Sequence, residues 1–356
     1  MGLKPSINET CLYWAKREDN AMFVLVYVDD ILIASRDMDW IMEIKEGLLQ
    51  DFDIKDLGPT KYCLGLEINQ KEDEIQLSQE GYIRGLLKTY GMEECNSVVT
   101  PSELCANNIE VKEAPSNRKK WPYRELIGAL MYISVATRPD IANAVSRLAQ
   151  YANEPQRSHW LAAKRVLRYL AGLADLRLIY SQTNKPLVGF ADADWGGCTK
   201  DRRSYTGYVY LLSGAPITWK SQKQRTVALS STEAKYVSLS EATKEAVYLH
   251  SLLHEFDLSE LAAITFCNGA ARKLHRYGYG PFIVRSPPRA HRAPINFLSK
   301  QRRLTAENPP HPTVPKFRFV GDSPPKPPML ADSKPFGCQP GIKEARLYVC
   351  SPDSVR

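Results

Sequence analysis

The sequence lacks what several protein classes require. No apolar run in its 356 residues reaches the ~18 that a membrane span needs, so no membrane partner is expected. Its cysteines, Cys11, Cys63, Cys95, Cys105, Cys198, Cys267, Cys338 and Cys350, stand singly, with no CxxC pair and no Cys/His cluster. That argues against a structural zinc site or a disulfide framework and favours free thiols in a reducing compartment. The first residues hold no apolar stretch, Lys4 and Pro5 following at once, so no secretory leader is read. Met1-Gly2-Leu3-Lys4-Pro5-Ser6 matches the myristoylation pattern in form only. No internal repeat is visible. Acid is missing locally: none stands between Glu260 and Glu307, while Arg272, Lys273, Arg276, Arg285, Arg289, Arg292, Lys300, Arg302 and Arg303 all lie there. The net charge of +7 therefore belongs to that stretch, and the remainder is close to neutral.

What is present is an ordinary globular balance, 44% hydrophobic and 24% charged residues, over a length that suits two or three domains. Phe23 to Val28 and Ile31 to Ala34 are β-rich runs separated by Asp29-Asp30, the pattern of a hairpin with acids at its turn. Ile41, Ile44, Leu48 and Leu49 are spaced for one buried helix face. Strands are predicted over Lys61 to Asn69 and Glu74 to Leu77, and a helix over Tyr82 to Tyr90 stopping at Gly91. Residues 100–120 are polar and patternless, a linker. Three helices follow: Arg124 to Val135, one begun by Pro139 with Ile141, Val145, Leu148 and Ala149 inward, and one begun by Pro155 that buries Trp160, Ala163, Leu167 and Leu170. Lys164, Arg165 and Arg168 form a basic face on the last of these, available to solvent or to phosphates.

From Leu176 the period changes to two. Strands are predicted over Leu176 to Tyr180, Leu187 to Ala193, Tyr205 to Leu212 and Pro216 to Ser221, then a helix over Thr232 to Phe256 and a strand over Ala263 to Cys267. That order makes a mixed sheet with helices, and the chain as a whole is α+β. Fifteen of the 24 prolines lie from Pro281 onward, a density that sustains neither helix nor central strand, so the tail reads as disordered or polyproline-like.

Two sets of acids invite chemistry. Asp29 and Asp30 at a tight turn can approach one cation, although acids are also ordinary turn residues. Asp192 and Asp194 share a face of a predicted strand, and Glu233 opens the long helix, where Ser230 and Glu233 also have the spacing of a capping box. The surrounding residues carry a family resemblance. Phe23-Val24-Leu25-Val26-Tyr27-Val28-Asp29-Asp30-Ile31-Leu32-Ile33-Ala34 resembles the YVDD hairpin of reverse transcriptases in their copia-type LTR retrotransposon form, and Lys55-Asp56-Leu57-Gly58 with Lys61 to Ile68 matches the palm segment that follows it. Tyr123 to Tyr132, Thr137-Arg138-Pro139-Asp140-Ile141, His159-Trp160, Gly189 to Trp195, Arg202 to Tyr208, Ser221 to Gln224 and Ala228 to Tyr236 are similar to the connection and ribonuclease H domain of the same Pol polyproteins. The likeness runs in family order over residues 2–267.

That resemblance implies a C-terminal piece of Pol: the end of a reverse transcriptase palm over 1–115, a helical connection over 116–172, a truncated or degenerate ribonuclease H-like domain over 173–275 and a Pro-rich basic tail over 276–356. It implies Asp29 and Asp30 as Mg2+ ligands of the polymerase, and Asp192 and Glu233 as catalytic ligands of a Mg2+ pair that cuts the RNA strand of RNA–DNA hybrids. The implied partners are hybrid or other nucleic acid and the rest of a Pol polyprotein, in the cytoplasm. Oligomeric state is not legible.

The sequence also departs from the family. Reverse transcription needs a further aspartate on an earlier palm strand, and only 28 residues precede Asp29, so polymerase inactivity is expected. The family's next ribonuclease H strand ends in Cys-Asp-Asn, whereas this chain reads Cys267-Asn268-Gly269, leaving an amide for the third carboxylate. The nuclease is thus expected to be weakened or lost, and the acid-free run after Cys267 fits a frameshift, read-through or mis-joined exon. The alternative is a non-enzymatic remnant that binds nucleic acid through its basic segment.

Overall fold

The computed structural model describes residues 2–103, 121–183, 185–262, 265–268 and 345–350. The linker expected over 100–120 and the Pro-rich tail lie mostly outside these. Helices and three sheets together make a mixed α+β architecture.

The first sheet contains β1 (Lys4–Pro5), β2 (Leu12–Arg17), β3 (Asn20–Tyr27), β4 (Asp30–Ser35) and β5 (Ile54–Pro59), with α1 (Met38–Asp51) between the last two. Alternation places Met22 and Val24 of β3 and Ile31 and Ile33 of β4 on one face, where they bury against Trp40, Ile41 and Ile44 of α1. Asp37 caps α1, its carboxylate accepting the Trp40 amide at 3.0 Å. Leu49, expected on the buried face, is 44% exposed. At 3.6 residues per turn it falls beyond the stripe, and Trp40 occupies the flank instead. A sixth strand, β14 (Ala345–Cys350), lies between β4 and β5, parallel to both. This corrects the reading of the tail as wholly irregular. The proline density of the region hides a proline-free run, Ala-Arg-Leu-Tyr-Val-Cys, in which Leu347, Tyr348 and Val349 are all buried, as in a strand covered on both faces.

The second sheet holds β6 (Tyr62–Cys63), β7 (Leu66–Gln70) and β8 (Glu74–Ser78), followed by α2 (Glu80–Thr89). The single strand expected over Lys61 to Asn69 breaks at Leu64-Gly65, both with positive φ (51° and 75°). The Tyr132 hydroxyl donates to the Leu64 carbonyl at 2.7 Å, so a side chain at residue 65 would both strain the backbone at φ +75° and displace that hydroxyl, and glycine avoids both. The fourth strand of this sheet is β9 (Leu178–Ser181), antiparallel to β8. The sequence reading put it at the head of the strand series that follows; alternation identifies a strand but not its neighbour.

Three helices, α3 (Tyr123–Ala136), α4 (Ala142–Ala149) and α5 (Arg157–Ala171), pack with α2 around Leu126, Leu130, Ile133, Val145, Val166 and Leu170. Pro139 opens a short 3-10 turn, Pro139–Ile141, ahead of α4. On α5, Trp160 is only half-buried and His159 is the buried member of the pair. The basic face of α5 is engaged: Arg165 bonds Glu103 at 3.0 Å and Thr100 at 3.1 Å, and Arg168 bonds the Asn96 carbonyl at 2.7 Å.

The third sheet has the order β12-β11-β10-β13, from β10 (Val188–Ala193), β11 (Tyr205–Leu212), β12 (Ala215–Lys223) and β13 (Thr265–Asn268). Only β13 runs parallel to its neighbour, as a crossover through α6 (Ser231–Glu255) requires. Ala246, Leu249 and Leu253 of α6 pack on Leu187 and Tyr210. The helical layer meets this sheet through Trp219, whose indole N–H donates to the Ser134 carbonyl at 2.7 Å. The C-terminal end of α6 meets the first sheet, Phe256 standing edge-on to Trp14 and Phe23. No described helix is long and apolar enough to cross a membrane.

Candidate functional site

The first acidic pair sits on the β3–β4 hairpin. Tyr27 and Asp30 are the last paired residues, so the two-residue loop is Val28-Asp29 and not Asp29-Asp30. Val28 has φ +53° and is 75% exposed. A β-branched residue held there costs about 1–3 kcal/mol, so the surrounding hairpin imposes the turn against local preference. Asp29 projects at the exposed loop and Asp30 is half-buried. One oxygen of Asp30 is fully buried without a hydrogen-bond partner. Burial, helped by the Asp30 charge, pushes the Cys63 thiol pKa up. Beside this turn runs β14, with Arg346 in register with Asp30.

The second set lies on the third sheet. Asp192 is the penultimate residue of β10, opposite Gly207, and its carbonyl accepts the Ser238 hydroxyl of α6 at 2.7 Å. Its Oδ1 is buried with no hydrogen bond, and the Lys235 ammonium stands 3.8 Å away. Glu233 is exposed in the first turn of α6, where it accepts the Leu229 amide at 2.7 Å while the Ser230 hydroxyl accepts the Glu233 amide at 3.1 Å. The capping-box geometry is therefore present, reaching one residue further back than usual. Asp194 does not share the strand with Asp192. It lies just past β10, accepting the Tyr205 amide at 2.6 Å and facing Arg147 at 3.4 Å. Asn268 is in register with Ala191, next along the strand from Asp192. Exposed Trp195, Leu229 and Tyr236 belong to the same segments.

The described residues do not fit a two-cation centre. No group of three or more His, Cys, Asp or Glu arranged for a metal ion occurs among them. Asp192 instead faces a protein cation, and Glu233 is committed to a backbone amide. No local pattern marks Lys235, since positions two apart on a helix do not share a face; its meeting with Asp192 depends on how α6 packs on β10.

Comparison with known proteins agrees with the motifs. A family model described as reverse transcriptase (RNA-dependent DNA polymerase) matches residues 1–104. The chain is 37% identical over 272 residues, 73% of its length, to the retrovirus-related Pol polyprotein from transposon TNT 1-94 of Nicotiana tabacum. It is 37% identical over 259 residues to the corresponding polyprotein from transposon RE2 of Arabidopsis thaliana, and 52% identical over 132 residues to the secreted RxLR effector protein 161 of Plasmopara viticola. The latter match covers 37% of this chain and 93% of that protein, whereas the chain spans 20% and 18% of the two polyproteins. On these similarities the chain belongs to the copia-type retrotransposon Pol family, as a fragment of it.

Proposed function

We propose that this chain is a Pol remnant in which the first sheet is the end of a reverse transcriptase palm, α3 to α5 form the connection, and the third sheet with α6 is a ribonuclease H-type domain of impaired activity. The observation carrying this reading is the state of the acid pair on the third sheet. Asp192 and Glu233 come from the strand and helix that such a domain would use, yet the residue in register next to Asp192 on the neighbouring strand is Asn268, and Asp192 faces the Lys235 ammonium. A neutral amide offsets little of the charge of two close dications, and loss of even an indirect metal support costs ~10–100-fold. For the palm, no third acid joins Asp29 and Asp30 among the described residues, and the strand next to them, β14, contains no carboxylate. Template-directed dNTP incorporation is therefore expected to be absent.

Cleavage of the RNA strand in a labelled RNA–DNA hybrid, with Mg2+ supplied, tests the nuclease half. Relative to the native chain, Asn268→Asp is expected to cut at least ~10–100-fold faster, and Asp192→Asn in that background to abolish the gain. A native chain already as fast as Asn268→Asp would refute the impairment. Cleavage indifferent to Asp192 would refute the site.

A further inference from the structure

The last two turns of α6 carry two imidazoles that the proposed nuclease does not use. His250 and His254 stand four residues apart on the helix, and both are exposed. Four residues is just over one turn, so the two side chains emerge one above the other. Their rings lie 6.2 Å apart, centroid to centroid, and are tilted by only 29°. His254 alone needs no explanation beyond the helix end, where a basic side chain faces the negative pole of the dipole. His250 lies a full turn further in. No lysine or arginine stands three or four residues from either ring; those positions are Ala246, Val247, Ser251, Leu253, Asp257 and Leu258. The one charge among them, Asp257, is negative and lies against Lys16 at 3.3 Å. The last carbonyls of the helix have the same sign, so the surroundings favour a cation between the rings.

We propose that His250 and His254 bind a divalent transition-metal ion, Zn2+ or a neighbour in its series, which staples the last two turns of α6. Two imidazoles at this spacing on one helix face are the arrangement by which zinc-binding helices hold their ion. Each ring nitrogen must come within ~2.0–2.1 Å of the metal, and two exposed side chains reach that by rotation about their own bonds, with the backbone unchanged. Water takes the other positions, because no group of three or more His, Cys, Asp or Glu is arranged for an ion among the described residues. The lack of a Cys/His cluster excludes a closed four-ligand centre and leaves an open two-nitrogen one. Ser251 occupies the place where a hydrolytic zinc helix carries its glutamate, so the site binds and does not hydrolyse. Nitrogen donors also select against Mg2+, which prefers oxygen. The acids are remote: Glu233 and His250 lie 17 residues apart on one helix, about 26 Å at the helical rise. The neighbours are instead Glu255 and Phe256, through which the helix end meets the first strands.

The test uses the full chain with Zn2+ alone, read by diethylpyrocarbonate modification and peptide mapping. Zn2+ should shield His250 and His254 at one shared midpoint and leave His275, His291 and His311 reacting as before. In His250→Gln, shielding of His254 should need at least ~10-fold more Zn2+, since losing even an indirect metal support costs ~10–100-fold. His254→Gln combined with Ser251→His keeps two imidazoles on positions that do not face each other, and should be as weak as the single variant. Mg2+ in large excess should not displace the ion. Separate midpoints for the two rings, shielding of one untouched by loss of the other, tight shielding in the rearranged pair, or displacement by Mg2+ would each overturn the site. Should the variants fail to fold, zinc X-ray absorption of the native chain at one equivalent must show imidazole ligands, and sulfur ligation there overturns the assignment equally.

Discussion

Arg138 is fully buried, a position an arginine occupies only when all its donors are met. Its guanidinium grips Asp140 in a fork, at 3.0 and 2.7 Å, and its remaining arm donates to the Leu173 carbonyl at 2.7 Å. The Tyr169 hydroxyl adds a third donor to Asp140 at 2.8 Å, and burial pushes the Tyr169 pKa up. This triad ties the start of α4 to the end of α5. Removing one member leaves a buried charge uncompensated, so Asp140→Ala should cost about 3–5 kcal/mol, measured by urea unfolding. Loss under about 1 kcal/mol would show the pair to be solvent-relaxed. The sequence made Pro139 legible as a helix opener, but nothing in the spacing of Arg138 and Asp140 announced that both turn inward. Charged residues are read as surface until their partners are seen, and the groups that complete this pair's bonding inside, the Tyr169 hydroxyl and the Leu173 carbonyl, lie 29 and 35 residues away.

At the scale of elements, helix starts were readable and strand neighbours were not. The long helix of the third sheet begins at Ser231, within a residue of expectation, because Ser230 and Glu233 carry their own capping geometry. Helix α5 is capped less obviously: Gln156 and His159 form the reciprocal pair, with His159 Nδ1 accepting the Gln156 amide at 3.0 Å and the ring stacked on Tyr151. Burial, and secondarily the Lys200 charge, holds the His159 pKa below its ordinary value. An acceptor at Nδ1 must be unprotonated. The cap thus contributes fully above the unfolded-state pKa of about 6.5, and its contribution disappears as pH falls through the lowered folded value. Thermal midpoints from pH 8 down to 5 should fall, and His159→Gln, which keeps an acceptor without titrating, should flatten that decline. A slope unchanged by the substitution would assign the decline to other groups. Pairings of β9 and β14 escaped the sequence because each joins strands far apart along the chain, where local pattern carries no information. The acids of the candidate site were legible as residue types; that Asp192 would meet Lys235, and Asp194 a backbone amide, depended on tertiary placement.

For the whole molecule, the decisive contact is between its opening residues and the end of α6. Glu255 accepts the Ser6 hydroxyl at 3.0 Å, the Ile7 amide at 2.8 Å and the Asn8 side chain at 2.6 Å, while Phe256 wedges against Trp14 and Phe23. The third sheet thereby braces the first. Phe256→Ala should lower stability by about 1–3 kcal/mol and raise amide exchange in residues 6–8 and along β2 and β3, read by hydrogen-exchange mass spectrometry. Exchange changes confined to α6 would mean the two parts are merely adjacent. A second long-range tie, β14, has a consequence for biosynthesis. Thr60 leaves the ribosome 289 residues ahead of Val349, which at about 5–20 residues per second is a wait of roughly 15–60 s. β14 therefore joins the first sheet only after every other described strand has been made, so its pairing with β4 and β5 is the last of the described sheet contacts to become possible.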